Sequence, residues 1–447
     1  NVLLLIKNIT GYKGDLLSSE EVSYIKKQAK EYKKESFLFN RLSHLVFVYL
    51  PKEEENNSKK HEKCRTEGDK VCGLLNQNKE TSLSIINVDF SLSEVLAVAE
   101  GISLGNYQFI KYHTKKEEKE NHLKQLNICI EEVEQTSIDE LALITDACYF
   151  CRDLVNEPLN SLNATELSER VNKEATAAGA KVEVFTKKKI ESLKMGGLLA
   201  VNKGSVDPPT FTIIEWKPDD AINKKPLILV GKGVVFDTGG MNIKPGTYLD
   251  NMKSDMAGAA TMAATCIAAA RAKLPYHIIT LLPATDNRPD GNAYVPDDII
   301  KMHNGMTVEI RNTDAEGRLI LADALSYAQK YNPELVITAA TLTGAASRAI
   351  GKYGIVAMQT KANENIQKLK EAGETVYERL VEFPFWEEYG ELLKSEVADL
   401  KNLGGSDAGM ITAGKFLENF TSYPFIHLDI AGPAFYDKKD AYRPAGG

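Results

Sequence analysis

Two short groups of carboxylates carry the clearest chemical signal in the sequence. In NTDAEGRLILADAL (312–325), Asp314 and Glu316 stand two residues apart at the start of an apolar run with helical periodicity. A purely structural role is one explanation, because Thr313 or Asp314 could cap the helix and acidic residues in a first turn favour the helix dipole. The other explanation is that both carboxylates hold a positively charged group.

The second group lies in GKGVVFDTGGMNIKPGTYLDNMKSDMAGAAT (231–261). It contains Asp237 and Asp255 together with Lys232 and Lys244. Four carboxylates brought together from the two groups would repel one another unless cations neutralise them, and such clusters are typical of bound divalent ions. Two lysines and an arginine could also neutralise them, so a buried ion-pair network is the alternative.

Zinc-site signatures built on pairs of histidines or cysteines are missing from the sequence. There is no HExxH motif, and the single CxxC, at Cys148 and Cys151, lies within a helical pattern. His303 and His427 lie near the carboxylate segments, but each is isolated, so a structural role is expected for both. A metal site in this chain must therefore be rich in oxygen ligands.

The elements around these groups indicate an α/β fold. The predicted strands of the second half are KVEVF, FTIIEW, PLILVG, YHIITLLPA, MTVEIRN, ELVITAATL, GIVAMQT and FIHLDIAG. Because they alternate with helical patterns, they indicate a mixed, largely parallel sheet flanked by helices. Ligands bind at the carboxyl ends of the strands in such sheets, and both carboxylate groups follow predicted strands, at 226–231 and 306–312.

A length of 447 residues predicts more than one domain. The first 110 residues mix strand-like and helix-like runs, which indicates a smaller α/β domain. Pro158 and neighbouring Asn and Ser residues interrupt the helical periodicity at 157–162. We therefore predict an N-terminal α/β domain at 1–157 and a larger C-terminal domain at 158–447.

Composition and charge exclude several classes of protein. The chain is 43% hydrophobic and 26% charged, as expected of a globular protein, and its net charge of -8 argues against a nucleic-acid partner. No apolar stretch approaches the length of a membrane span. Six scattered cysteines do not form a disulfide framework, so reduced thiols are expected. We expect a cytoplasmic protein, although the chain starts without Met and a targeting segment could precede it.

Together these segments resemble the leucyl aminopeptidase family, the M17 dinuclear metallo-aminopeptidases. The heptapeptide NTDAEGR is highly specific to that family, and the spacing of the matched positions fits it. Weaker similarity runs through RDLVNEPLN, PATDNRPDGNAYVPDDII, AATLTGA, DAGMITAGKFLENF and HLDIAGP, and covers about residues 150–435. Asp297 stands where the family commonly has Gly, a departure that concerns the turn of that loop and no ligand. The resemblance also implies a final strand beyond residue 447.

The resemblance implies two divalent ions per subunit and assigns their ligands. One ion would be held by Lys232, Asp237, Asp255 and Glu316, and the second by Asp237, Asp314 and Glu316. Zn²⁺ is implied, with Mn²⁺ or Mg²⁺ as alternatives at the exchangeable position. A lysine ligand must be neutral, so the dications would have to lower the pKa of Lys232 strongly. Metals about 3.5–4 Å apart can share a bridging water and lower its pKa, so that a hydroxide attacks the scissile carbonyl.

The resemblance also assigns two cationic side chains to the reaction. Protonated Lys244 would polarise the carbonyl and stabilise the oxyanion. Arg318 would hold a bicarbonate ion that acts as general base, although a salt bridge that orders Glu316 is the alternative. The implied substrate pocket consists of Met252, Thr341, Leu342, Gly344, Ala431 and Ala434. Small residues at 431 and 434 imply room for Leu, Met or Phe, with helix packing as the alternative for both alanines.

The function implied is a metal-dependent aminopeptidase, in which the C-terminal domain is catalytic. It would release unblocked N-terminal residues, leucine and other neutral ones preferred, from peptides. By resemblance it would form a homohexamer with no membrane or nucleic-acid partner. The alternatives are a Cys-Gly dipeptidase of the same family and a non-catalytic DNA-binding regulator, which the net charge disfavours. The sequence assigns no role to the N-terminal domain.

Overall fold

The computed structural model describes residues 1–130 and 134–447. Over these residues the chain divides into two compact units. The N-terminal unit comprises Asn1–Thr145 with Thr375–Tyr377 and Lys438–Ala445, and the C-terminal unit comprises Asp146–Glu374 with Glu378–Asp437 and Gly446–Gly447. Two segments from the second half of the chain therefore belong to the N-terminal unit.

The N-terminal unit is an α/β structure. Its strands are β1 (Val2–Leu5), β2 (Ser36–Asn40), β3 (Leu45–Tyr49), β4 (Ser82–Asn87) and β5 (Gln125–Cys129), and its helices are α1 (Ser19–Tyr32), α2 (Asn57–Gln77) and α3 (Leu92–Gly105). The strands form one sheet in the order β2-β3-β1-β4-β5, in which only the β2–β3 pairing is antiparallel. Successive residues of β1 pack into two different buried clusters, one on each face of the sheet.

Local sequence signals explain where two of these helices begin. Ser18 and Ser91 cap α1 and α3, and in each case the glutamate three residues later accepts a hydrogen bond from the backbone N–H of the cap. This reciprocal arrangement satisfies N–H groups that have no partner inside the helix.

Helix α4 (Gln135–Asn156) contains the CxxC pair, Cys148 and Cys151. The division between the units, at 145/146, lies inside this helix, whereas the predicted domain boundary at 157 lies just after it. The boundary at 157 stays a prediction. Within the described ranges, no helix is both long and apolar enough to cross a membrane.

The C-terminal unit is built around a mixed sheet. Its first strands are β6 (Lys181–Phe185), β7 (Thr210–Trp216), β8 (Leu227–Gly231), β9 (Gly233–Asp237) and β10 (Ile278–Asn287). The later strands are β11 (Ile299–Lys301), β12 (Thr307–Glu309), β13 (Leu335–Ala340), β14 (Ile355–Thr360), β15 (Leu380–Glu382), β16 (Leu400–Lys401) and β17 (Phe425–Asp429). Among the described residues, the main sheet has the order β15-β14-β17-β13-β8-β10-β7-β6, and β9 also pairs with β10. Its centre, β17-β13-β8-β10, is parallel, as predicted.

Helices cover both faces of this sheet. They are α5 (Ala164–Ala177), α6 (Lys187–Ser192), α7 (Gly196–Asn202), α8 (Ala257–Arg271), α9 (Gly317–Ala328), α10 (Gly344–Ile350), α11 (Asn363–Val376), α12 (Glu388–Glu391) and α13 (Gly409–Glu418). Val336 of β13 packs into the buried cluster that contains α9, and Ile337 packs into the cluster that contains α8. Adjacent strand residues point to opposite faces, so the strand is apolar on both sides, as expected for a covered parallel strand.

Helix α8 lies unusually close to the strands. It is composed mainly of alanine, and most of its residues are buried. A Cβ atom on Gly258 would lie only 2.1 Å from the backbone oxygen of Ala339 in β13. The small side chains therefore let this helix pack directly on the sheet.

The observed strands differ from the predicted ones in two respects. The segment predicted as a strand at 306–312 is the short strand β12, which belongs to a separate three-stranded sheet with β11 and β16. Strand β9, which ends at Asp237, was not predicted, because glycines precede and follow its apolar residues. The carboxylates of the two groups therefore reach the same place from different sheets.

Asp297 adopts a backbone conformation that glycine would favour. Asp297 has a φ of 72°, a left-handed conformation that favours glycine and is tolerated by aspartate. Its carboxylate lies 2.7 Å from a guanidinium nitrogen of Arg311.

Candidate metal centre and active site

The carboxyl ends of parallel strands deliver the first carboxylate group. Strand β8 ends directly before Lys232, and Asp237 is the last residue of β9. Both strands run parallel to β10, one after the other: β8 lies beside Ile278–Leu281 and β9 beside Ala284–Asn287. Lys232 therefore lies at the junction of the two strands, and Asp237 lies beside the carboxyl end of β10. Asp255 follows on the loop that leads into α8.

The second group precedes α9 but does not cap it. The helix begins at Gly317, and Glu316 occupies the cap position without a side-chain cap bond. The Thr313 hydroxyl instead donates to the backbone oxygen of Gly239, 2.6 Å away. The structural explanation in which Thr313 or Asp314 caps the helix is therefore wrong.

The two groups meet in one carboxylate cluster, which consists of Asp237, Asp255, Asp314 and Glu316. Ligand oxygens of Asp237, Asp255 and Glu316 lie within 4.8 Å of one another, and all three residues are buried. Asp314 lies at the margin of the cluster, with about a third of its side chain exposed (32%).

Two lysines penetrate the cluster. Lys232 Nζ lies 2.7 Å from Asp255 Oδ1 and 2.9 Å from Glu316 Oε1. Lys244 Nζ lies 2.8 Å from Asp237 Oδ2 and 2.5 Å from Asp314 Oδ1. Each lysine therefore joins one carboxylate of the first group to one of the second.

The proximity of like charges and burial shift the ionisation of these groups. Burial and the neighbouring carboxylates raise the pKa of Asp314 to about 7 and that of Asp255 well above its usual value. For Lys232 and Lys244, burial favours the neutral amine, but the surrounding carboxylates outweigh it and raise both pKa values. In the absence of cations, both lysines are therefore ammonium groups.

The two lysines leave some carboxylate oxygens of the cluster without hydrogen-bond donors. Asp255 Oδ2 and Glu316 Oε2 are buried, and neither accepts a hydrogen bond from any residue in the ranges 1–130 and 134–447. When ionised, the four carboxylates carry four negative charges, and the two lysines neutralise only two of them. Buried carboxylate oxygens without donors are costly, so the donor set fits added divalent cations better than it fits a complete ion-pair network.

Gly317, within NTDAEGR, makes room for one of these lysines. A Cβ atom at this position would lie 2.4 Å from Cε and 2.8 Å from Nζ of Lys232. Since real Cβ atoms do not approach other atoms so closely, any larger residue would displace the lysine.

Arg318 follows on the same helix turn and is 6% exposed. It donates from Nη1 to the backbone oxygen of Asn402, 2.7 Å away, and its Nε has no hydrogen-bond partner among the described residues. Burial lowers the pKa of Arg318 to about 10, although Glu316 and other carboxylates oppose the shift. Within the described chain Arg318 forms no ion pair, so the alternative of a salt bridge to Glu316 is not supported.

Comparison with known proteins agrees with this geometry. Residues 149–447 match the family described as "Cytosol aminopeptidase family, catalytic domain", peptidase M17. The chain belongs to this family. It is 43% identical over 403 residues to a probable cytosol aminopeptidase of Chloroherpeton thalassium, which covers 82% of this chain and 77% of that protein. A probable cytosol aminopeptidase of Geotalea uraniireducens is 40% identical over 413 residues, or 90% of this chain and 82% of its own.

Solved structures show the same fold. The bottromycin maturation enzyme BotP in complex with Mn is 28% identical, has a TM-score of 0.87 and is matched over 100% of this chain and 96% of its own. The cytosol aminopeptidase of Coxiella burnetii is 27% identical, with a TM-score of 0.85 over 100% of this chain and 93% of its own. The predicted family and fold class are confirmed, and the protein is a metal-dependent aminopeptidase, a hydrolase.

Several residues that hold the cluster of the aminopeptidase in place were not predicted from the sequence. Asn287, the last residue of β10, donates to Asp237 Oδ1 at 2.8 Å and to the backbone oxygen of Thr313 at 3.0 Å. Tyr294 also donates to that oxygen, 2.7 Å away. Asn287 thus ties the first carboxylate group to the second. It lies three residues after the predicted strand YHIITLLPA, so a search of the residues that follow each predicted strand could have found it.

The predicted pocket residues of the aminopeptidase lie on three loops. Thr341 is close to the carboxylate cluster, since its Oγ1 donates to Asp255 Oδ1 at 2.8 Å. Leu342 packs partly against the buried cluster on the α9 side of the sheet, and Ala434 against the one on the α8 side. Ala431 and Ala434 lie in the turn after β17 rather than in a helix. Met252 lies in a short 3₁₀ helix before Asp255, and Gly344 starts α10.

His303 and His427 have protein partners. His303 Nδ1 is 2.7 Å from the backbone oxygen of Leu193, and His427 Nδ1 is 2.8 Å from Thr338 Oγ1. Burial lowers the pKa of His427 to about 3, so it is neutral at ordinary pH. Neither belongs to the group of carboxylates that could hold a metal ion.

Proposed function

We propose that this aminopeptidase removes unblocked N-terminal residues, leucine and other neutral residues preferred, from peptides with two divalent metal ions at the carboxylate cluster. The supporting observation is that two buried oxygens, Asp255 Oδ2 and Glu316 Oε2, have no hydrogen-bond donor in the described chain. Donor-free carboxylate oxygens at the carboxyl edge of a parallel sheet are where cations are needed and where ligands reach the fold.

Two overlapping ligand sets are proposed. The first consists of Lys232, Asp237, Asp255 and Glu316, and the second of Asp237, Asp314 and Glu316. Lys232 fits the first set because its Nζ is already between Asp255 and Glu316, and because two dications would reverse the effect of the carboxylates on its pKa. We propose Zn²⁺ as the metal, with Mn²⁺ or Mg²⁺ at the exchangeable position.

When bound, two such ions would supply an activated water nucleophile and a positively charged site for the free α-amine of the peptide. Lys244 remains close enough to act on the substrate. Its Nζ bridges Asp237 and Asp314 on the open side of the cluster, where it can donate to the carbonyl oxygen as negative charge develops. Lys244 is proposed to stay protonated in this role; without metal ions, the surrounding carboxylates raise its pKa.

Arg318 is proposed to hold a bicarbonate ion that serves as general base. The support is a buried guanidinium whose Nε lacks a partner in the described chain and whose charge is unpaired there. An anion would satisfy both the donor and the charge. The guanidinium itself orients the ion and does not give up a proton at neutral pH.

The proposed assembly is a homohexamer in the cytoplasm. The hexamer rests on the resemblance to leucyl aminopeptidases alone. The location is supported by relatives described as probable cytosol aminopeptidases.

The test is hydrolysis of leucine amide by metal-stripped protein to which Zn²⁺, Mn²⁺ or Mg²⁺ is returned. We expect no activity without metal and recovery with at least one ion, together with two bound ions per chain. Parallel assays with Met and Cys-Gly substrates separate a broad aminopeptidase from a Cys-Gly dipeptidase. A folded protein that stays inactive with every ion would refute the proposal.

A further inference from the structure

A buried carboxylate outside the metal cluster joins two loops that carry predicted pocket residues. Asp429 is the last residue of β17 and is 1% exposed. Its neighbour across the parallel pairing is Ala340, the last residue of β13. The chain leaves both strands at the same edge of the sheet, so Asp429 lies between the loop that starts at Thr341 and the loop that starts at Ile430.

Asp429 accepts hydrogen bonds from both loops. Its Oδ1 lies 3.2 Å from the backbone nitrogen of Leu342, 3.4 Å from that of Thr343 and 3.2 Å from that of Ala431. Its Oδ2 accepts from Thr343 Oγ1 at 2.7 Å. A single carboxylate therefore satisfies three backbone N–H groups and one hydroxyl, and it fixes the distance between the two loops.

The first of these loops is also tied to the metal cluster. The backbone oxygen of Thr341 accepts from Lys232 Nζ at 3.0 Å, and its Oγ1 donates to Asp255 Oδ1. The next two residues bind Asp429. The short segment 341–343 is thus held at one end by the proposed metal ligands and at the other end by Asp429.

We propose that Asp429 is a positioning residue that sets the width of the pocket for the N-terminal side chain of the substrate, and thereby the preference for large neutral residues. The proposal rests on the proposed function. Asp429 touches neither metal nor substrate in this role. It acts through Leu342 on one loop and Ala431 on the other, and a change in its hydrogen bonding would alter their separation.

The chemistry of the site makes Asp429→Asn an informative change. The amide keeps one oxygen for the backbone N–H groups but turns the second acceptor into a donor. That donor would face Thr343 Oγ1, which already accepts from the backbone N–H of Ala346 and would lose its own acceptor. The substitution preserves size while loosening the attachment of the 341–343 segment.

Asp323 provides a matched control. It is also fully buried, and it accepts from the backbone N–H groups of Leu198 and His303, each at 2.9 Å, away from the pocket loops. Asp323→Asn therefore disturbs a comparable buried carboxylate without touching either loop. Any general effect of weakening the fold should appear in both variants.

The experiment compares kcat and KM for leucine amide, methionine amide and alanine amide in the wild-type holoenzyme and both variants, with metal content measured in parallel. We expect Asp429→Asn to keep two ions per chain and to change the leucine-to-alanine ratio of kcat/KM by about tenfold, the order of a pocket contact. Asp323→Asn should leave that ratio unchanged.

Three results would overturn the inference. They are an unchanged ratio in a metal-loaded Asp429→Asn variant, an equal change of ratio in the control, or a uniform loss of rate that follows loss of metal. If the wild-type protein loaded with metal hydrolyses none of the amides, the proposed function fails and this inference falls with it. If the wild-type protein is active but one of the three results above is observed, only this inference fails and the proposed function stands.

Discussion

Two buried carboxylates near helix α9 differ in how their oxygens are satisfied. Asp323, about two turns into the helix, is fully buried and accepts from the backbone N–H groups of Leu198 and His303, which attach α7 and the loop after β11 to the helix. Glu316, directly before the helix, is 2% exposed, and its Oε2 accepts no hydrogen bond from the described chain. A buried carboxylate thus occurs once with hydrogen-bond donors for its oxygens, at Asp323, and once with an oxygen that has none among the described residues, at Glu316.

The contrast separates a structural role from a functional one. A buried acid whose oxygens are matched by N–H groups needs no further partner, and its removal costs stability. A buried acid with an unmatched oxygen is incomplete until a cation arrives. Burial and acidity alone do not distinguish the two cases, whereas the count of donors does.

The largest effect is expected at the carboxylate cluster around Glu316, where oxygens lack hydrogen-bond donors within the described ranges. Lys232→Ala removes a proposed ligand, so the variant should lose bound metal and nearly all hydrolysis of leucine amide. Lys244→Ala should keep two ions and lose on the order of 100–1,000-fold in kcat, because only a donor to the developing oxyanion is removed. Metal content after gel filtration distinguishes the variants, and equal metal loss in both would contradict the division of roles.

Gly317→Ala tests the carboxylate cluster without removing a proposed metal ligand. Alanine favours a helix over glycine by about 1 kcal/mol, but its Cβ would displace Lys232. We expect metal affinity to fall on the order of 10–100-fold. The melting temperature of the metal-free protein should fall as well, because a displaced Lys232 would leave the buried carboxylates of Asp255 and Glu316 without their cation. If metal affinity is unchanged, the close approach of the two residues has no functional consequence.

At Asp323, whose oxygens accept hydrogen bonds from backbone N–H groups, substitution by asparagine should affect the stability of the protein and the dependence of that stability on pH. Burial raises the pKa of Asp323 to about 7, although its backbone N–H partners oppose the shift. The usual value in an unfolded chain is about 3.9, so the stability associated with the protonated form is complete below about pH 4 and is lost as pH rises to about 7. A pKa that differs by one between the folded and unfolded protein corresponds to about 1.4 kcal/mol.

The measurement is the melting temperature of wild type and Asp323→Asn at pH 5 and pH 7.5. The variant should be less stable at pH 5, because an amide cannot accept from every backbone N–H group, and the difference should shrink at pH 7.5. The other titrating groups are common to both proteins and cancel. A difference that does not depend on pH would show that Asp323 does not titrate in this range.

The smallest effect is expected at an exposed carboxylate. Asp297→Gly removes the cost of a left-handed conformation but also the contact with Arg311, and an exposed pair contributes only about 0–1 kcal/mol. The unfolding free energy should change by less than about 1 kcal/mol, with unchanged activity, as measured by urea denaturation. A larger loss would mean that the Asp297–Arg311 contact orders the loop.

The sequence was sufficient to predict the carboxylate cluster because acids are rarely concentrated without a reason. Asp237 and Glu316 each lie close to the end of a predicted strand or the start of a helix, and the structure brings them together. The sheet membership of β12 could not be predicted, because its pairing with Leu400 depends on residues about ninety positions away. The helix-cap expectation failed for a similar reason, since a distant loop captures the Thr313 hydroxyl.

Single polar residues at strand ends were the main omission. Asn287 and Asp429 belong to no periodic pattern or motif that marks them. Their roles depend on which backbone groups the fold places within hydrogen-bond distance, and only the structure provides that information. A search of the polar residues just after each predicted strand could have found Asn287, whereas Asp429 lies inside the predicted strand FIHLDIAG.

The close packing of helix α8 on the sheet has a consequence for how the sequence can vary. At Gly258 even a methyl group would meet the backbone of β13, so the buried positions of this helix should reject nearly every larger side chain in a saturation library. Asp255 lies two residues before the helix, and a displaced helix would carry it out of position. Evolution of new substrate preferences is therefore expected to proceed through the loops that end the strands, while the buried face of the alanine-rich helix behind them stays nearly invariant.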